Sequence, residues 1–305
     1  MKQLIKSALR GCGVEVRRAR RPDDCAPEPP KEQEITIGGK LIYTDCAPLA
    51  ESYLNYPETN RASTRVIHVI KEFYDDFQAV DIGANCGDTI AFLFDGWSGK
   101  VLAVEPDEQC QKWLQRNWGQ DARVKITQKW LGRARGQMRV NASKTGWNTS
   151  LESSSSAGSL EIEINTLDEV LLGDPEFNHV KFIKVDTEGY DGQILLGSRK
   201  TLQKHKPVVL FESNMDCPAM KGTDPMDPFS FMMELGYETF LLHDAFGRFV
   251  AAVDHSQMDF LRDLLDYADG KFGKVYYFDA IAIHATDTGV KDKFLQVERQ
   301  HRKSP

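Results

Sequence analysis

The chain of 305 residues carries 38 basic and 45 acidic side chains, a net charge of −7, with 41% hydrophobic and 27% charged residues. That composition suits a folded globular protein of one large or two small domains and excludes a collagen, a disordered tail and a small disulfide scaffold. Its acidity argues against general nucleic-acid binding, which draws affinity from clustered Lys and Arg releasing counterions, so no nucleic-acid partner is expected.

Residues 1–33 stand apart from the rest. Lys2, Lys6, Arg10, Arg17, Arg18, Arg20 and Arg21 crowd the start, and Pro22, Pro27, Pro29 and Pro30 follow. Proline removes a backbone donor and stops regular structure, so a short helix and a linker are expected. The functional alternative is a docking segment in which residues 1–21 touch an acidic membrane surface or a partner. No apolar run reaches the roughly 18 residues a membrane span needs. Lys6 and Arg10 interrupt the first apolar stretch, against a secretory signal. The six cysteines are scattered with no C-x-x-C pair, which argues against a zinc site and for a reducing, cytoplasmic setting. The sequons at Asn141 and Asn148 are then chance matches. Residues 34–77 are expected to form a helical cap region, 78–290 the main domain and 291–305 a tail. The serine-rich stretch 153–159 reads as a loop.

From residue 79 apolar runs alternate with helical patterns. Strands are expected at 79–83, 101–105, 124–127, 180–186, 207–212, 237–242 and 275–283, helices at 89–94, 107–118, 191–203 and 228–235, and hairpin-like segments near 136–141 and 159–165. Strands alternating with helices imply right-handed βαβ units and a mostly parallel sheet covered on both faces. Such sheets bind ligands beyond the carboxyl ends of their strands.

The strongest motif lies at the first of these ends, Asp81-Ile82-Gly83-Ala84-Asn85-Cys86-Gly87-Asp88-Thr89. Gly83 leaves room where the backbone passes close to a ligand, and Gly87 lets the helix approach. Asn85 replaces the second glycine of the dinucleotide fingerprint, the one that lets a diphosphate lie on the backbone. A carboxylate and an amide around the turn suit a zwitterionic amino-acid group instead. Glu105 follows Asp81 by one βαβ period and can accept hydrogen bonds from ribose hydroxyls. The two signals together fit S-adenosylmethionine better than a nicotinamide dinucleotide.

These residues carry a resemblance. Asp81-Ile82-Gly83-Ala84-Asn85-Cys86-Gly87, Glu105-Pro106, Asn165-Thr166-Leu167-Asp168, Ile183-Lys184-Val185-Asp186-Thr187-Glu188-Gly189 and Phe211-Glu212-Ser213-Asn214 resemble, in order, the FkbM family of methyltransferases. The resemblance covers roughly 65–245. It implies an α/β class I methyltransferase Rossmann-like fold, with a seven-stranded, mostly parallel sheet, an antiparallel last strand and helices on both faces. It also implies S-adenosylmethionine-dependent O-methylation of a carbohydrate or similar polyhydroxyl natural product.

The expected cofactor-binding residues are Asp81, Gly83, Ala84, Asn85, Gly87, Thr89, Glu105, Pro106, Trp130 and Asp186. The reacting centre is expected at Lys184, Asp186, Glu188 and Glu212. Alternate strand residues share a face, so Lys184 and Asp186 converge. A carboxylate beside a lysine keeps a low pKa and is a weak base for a sugar hydroxyl, but it can orient one. Asp186, Glu212 and Asn214 could instead supply oxygen ligands to Mg²⁺, an arrangement similar to that of catechol O-methyltransferases. Asn148, Ser150, Asn214 and His243 are expected to face the acceptor, with Trp147 beside them in an irregular loop. The rival readings are a cofactor-binding scaffold without catalysis and, behind it, a nicotinamide-dependent oxidoreductase. The partner expected is a small-molecule or glycan acceptor.

Overall fold

The computed structural model describes residues 32–302 except 146–147, 154–159, 188, 214–223, 270–274 and 276, and of 141–145, 148–153, 160 and 269 only the backbone. From Glu32 onward the chain forms one compact unit, and residues 1–31 lie outside the described part. The unit opens on a hairpin, β1 (Gln33–Ile37) and β2 (Lys40–Thr44), before α1 (Ala47–Asn55) and α2 (Arg61–Phe73). The cap region expected to be helical therefore begins with strands. Ile35, Ile37 and Ile42 alternate with exposed residues there, the period of a half-buried strand.

The main sheet has eight strands. In chain order its members are β3 (Gln78–Ile82), β4 (Lys100–Val104), β5 (Val124–Thr127), β10 (Val180–Val185), β11 (Val208–Ser213), β12 (Tyr237–Asp244), β13 (Phe249–Asp254) and β14 (Phe278–His284). In space they run β13-β12-β14-β11-β10-β3-β4-β5. From β5 to β11 all neighbours pair in parallel, and β14 then enters antiparallel between β11 and β12. The expected seven-stranded class I methyltransferase arrangement is therefore present, and β13 extends it by one antiparallel edge strand.

Both faces are covered. One face, with Val80, Ile82, Ile183 and Val185, packs on α5 (Leu167–Gly173), α6 (Asp191–Leu196), α7 (Arg199–His205), α8 (Asp227–Glu234) and α9 (Met258–Asp269). The other, with Ala79, Phe182 and Leu210, packs on the hairpin, α2, α3 (Asp88–Leu93), α4 (Glu108–Trp118) and α10 (Thr288–His301). The tail expected at 291–305 is largely α10, which buries Val290, Phe294 and Glu298 at helical spacing. The single helix expected over 191–203 is split, with Gly197 ending α6 and Ser198 opening α7.

A smaller sheet stands beside the main one, β6 (Trp130–Leu131), β9 (Leu160–Asn165), β7 (Gly136–Thr145) and β8 (Asn148–Ser153), in that spatial order. Asn148 and Ser150 lie on β8, paired with Thr145 and Ser143, rather than in an irregular loop. Pairing with β7 supplies the backbone partners that local propensity alone does not.

Candidate functional site

A cleft of about 360 Å³ opens beyond the carboxyl ends of β3, β4, β10 and β11. Gly83, Asn85, Glu105, Pro106, Trp130, Lys184, Asp186 and Glu212 all line it, so the structure brings together most of the residues singled out above. Asp88, Asp107, Tyr277 and Asp279 join them, as do Tyr53 and Asn60 from the cap and the turn Ala245-Phe246-Gly247.

The turn after β3 is tight for a reason other than ligand access. Gly83 has φ 78°, and a Cβ there would stand 1.8 Å from the carbonyl oxygen of Asp186. The glycine thus admits the neighbouring strand end. Asp186 N donates to Ile82 O at 3.0 Å and closes that junction. A Cβ at Gly87 would meet the Trp118 ring at 2.3 Å, and Trp118 Nε1 donates to Gly87 O at 2.8 Å. Asn85 also sits in the left-handed region, at φ 48°, which Asn tolerates better than other side chains.

Glu105 is buried with 6% of its surface exposed, and its carboxylate organises the cleft wall. Oε2 accepts from Asn85 N and Oε1 from Asp107 N, each at 2.8 Å. Burial pushes its pKa up to about 7, against the pull of those two N–H groups. Each carboxylate oxygen has a second lone pair, so the group can still accept from a ligand's vicinal hydroxyls. Beside it Ile82, Val104, Trp130, Leu131 and Ile164 supply an apolar wall on which a flat base can lie. These residues fit a nucleoside ligand.

Charges at the carboxyl ends of β3 and β10 form a row. Asp81 is fully buried, does not line the cleft, and has no hydrogen-bond partner for either oxygen among the described residues. Burial raises its pKa to about 7, with Asp88 and Asp186 adding to the rise and Lys184 opposing it. Lys184 pairs with Asp81 in register, and its Nζ bonds Asp186 Oδ2 at 2.8 Å. Burial works against the Lys184 charge, but Asp186 and Asp81 outweigh it and hold the ammonium protonated. Across the sheet Glu212 pairs in register with Asp279 on β14, and burial, then Asp186, pushes Asp279 to about 7.

Not every expected residue reaches the cleft. Ala84 and Thr89 are buried behind it. His243 is 0% exposed, packs against Phe249 and Phe294, and stands 3.3 Å from the Glu298 carboxylate of α10. It lies on the sheet under that helix and does not line the cleft. Glu188, Asn214 and Trp147 lie outside the described residues, and the side chains of Asn148 and Ser150 are not described. Among the described residues no group of three His, Cys, Asp or Glu is placed to hold a metal ion. Also among them, no helix is long and apolar enough to cross a membrane.

A family model for the methyltransferase FkbM domain matches residues 81–239, just over half of the chain. The chain belongs to the FkbM methyltransferase family. The unit described above thus contains an FkbM methyltransferase domain, with further strands and helices on both sides of the matched span. Among solved structures, the chain is similar to a methyltransferase FkbM from Methylobacillus flagellatus KT, at 20% identity over 56% of this chain, with a TM-score of 0.41. It spans 40% of that protein's length. An O-methyltransferase from Bacillus cereus, crystallised in complex with SAH, is 12% identical over 72% of this chain and 80% of its own, with a TM-score of 0.38. The Methanococcus jannaschii fibrillarin pre-rRNA processing protein is 11% identical over 88% and 86%, with a TM-score of 0.39. No curated protein sequence matches the chain.

Proposed function

We propose that the protein is an S-adenosylmethionine-dependent O-methyltransferase that modifies a hydroxyl of a carbohydrate or similar polyhydroxyl compound. The observation that carries this reading is the buried Glu105 carboxylate, held by Asn85 N and Asp107 N beside an apolar wall at the strand ends. Glu105 would take the ribose, Trp130 the adenine, and the Gly83–Asn85 turn the methionine end. A bound cofactor of this kind supplies an activated methyl group on sulfonium, so the chain's task is alignment and exclusion of water. Asp186, fixed by Lys184, and Glu212 supply hydrogen-bond acceptors for an incoming hydroxyl. Asp81 acts from beneath them by keeping Lys184 charged.

Titration calorimetry with S-adenosylhomocysteine and with NAD tests the reading. The first should bind and the second should not. Glu105→Ala should weaken the first by about tenfold or more, the worth of a buried, charge-assisted hydrogen-bond pair. Binding of NAD alone, or a Glu105→Ala protein that binds like the wild type, would overturn it. Repeating the titration with EDTA and with added Mg²⁺ asks whether Asp186 and Glu212 also take a cation.

A further inference from the structure

Helix α1 and the segment leading from it into α2 lie outside the span that the family model matches, yet they supply part of the cleft wall. Tyr53 on α1 and Asn60, which precedes α2, meet Asp88 there. Asn60 Nδ2 donates to the Tyr53 hydroxyl at 2.8 Å, and that hydroxyl donates to Asp88 Oδ2. Asn60 sits in the left-handed region at φ 60°. Burial, and after it the Asp88 charge, raise the Tyr53 pKa well above its usual value, so the phenol stays a donor. The chain of donors orients the Asp88 carboxylate, which is 6% exposed at the start of α3. Among the described residues, its other oxygen meets only the Cys86 thiol at 3.8 Å, a weak donor.

A buried carboxylate oriented by two neutral groups, with acceptor capacity left at the edge of a cleft, is matched by a cationic donor. Asp88 lies within electrostatic reach of both Asp81 and Lys184. It therefore belongs to the reacting-centre end of the site, where an amino-acid moiety would lie.

We propose that Asn60, Tyr53 and Asp88 form the receptor for the ammonium group at the cofactor's amino-acid end, so that α1 and the segment joining it to α2 complete the cofactor site. The proposal rests on the cofactor reading above. It makes Tyr53 and Asn60 positioning residues, since they act through the Asp88 carboxylate.

The test compares S-adenosylhomocysteine with the same thioether lacking its α-amino group, by titration calorimetry on the full chain. The wild type should prefer the amine-bearing ligand by about tenfold or more. Asp88→Asn and, as a milder change, Tyr53→Phe should remove most of that preference while binding of the deaminated ligand stays within about twofold. Equal losses for both ligands would assign the three residues a purely structural role and overturn the proposal, as would a wild type that does not discriminate. A wild type that binds neither ligand would instead overturn the cofactor reading itself. Melting temperatures of both variants separate misfolding from lost recognition, and Tyr53→Phe keeps the ring that packs on Phe92.

Discussion

On β3 and β10, Val80, Ile82, Ile183 and Val185 face one side of the sheet, and Asp81, Lys184 and Asp186 face the other. The first side stays apolar to the strand ends and disappears under α5 to α9. The second starts apolar, at Ala79 and Phe182, and turns charged within one step along the strand. The same two strands thus serve stability on one side and ligand chemistry on the other. Buried charges cost folding free energy unless they are paired or used. Asp81 has no hydrogen-bond partner among the described residues, so the second side gives up stability that the first supplies.

Removing the cation should break the charged side most severely. Lys184→Met leaves Asp81 buried without its counter-charge, and loss of one partner from a buried pair costs about 3–5 kcal/mol. Urea unfolding should show that loss in full at pH 8 and a smaller one at pH 5, where Asp81 takes up a proton. On the apolar side Ile183→Ala should cost about 2–4 kcal/mol through the cavity it leaves, equally at both pH values. A pH-dependent loss for Ile183→Ala would erase the contrast between the two sides.

The smallest effect should be a gain. The folded-state pKa of Asp81 is raised from 3.8 to about 7, by burial first. The stability tied to it is therefore present below pH 4 and lost as the pH rises through 7. Asp81→Asn should match the wild type near pH 4 and exceed it by about 1–3 kcal/mol at pH 8. A variant less stable than the wild type at pH 8 would show that the Asp81 charge is better compensated than its geometry indicates.

Legibility of the fold followed local pattern. The central strands read out as short apolar runs ended by Gly83, Pro106 or a charged residue. The hairpin at 33–44, the edge strand β13 and strand β8 did not, because their residues pair at an edge or in a small sheet and carry weaker apolar patterns. Within the site, Gly83, Asn85, Glu105, Lys184, Asp186 and Glu212 announced themselves by standing at strand ends. Asp279 carries a signal in the sequence, a carboxylate inside the apolar run of the last strand. Asp88 follows the glycine motif directly, at the start of α3. Tyr53 and Asn60 had no signal, since neither belongs to a strand end and nothing local joins them to Asp88. His243 follows the strand-end pattern, yet it is covered by α10, which packs onto it from 55 residues further along the chain.

By itself the sequence determined the order of the central strands and the helices between them, and with it a cleft at the carboxyl ends of β3, β4, β10 and β11. Hydrophobic periodicity and glycine position act over a few neighbours and survive without the rest of the molecule. Which polar groups meet in that cleft was decided only when α1, α2 and α10 docked. The burial that reshapes Asp81, Glu105 and Asp279, and the contact of Tyr53 with Asp88, depend on chain segments far apart in sequence.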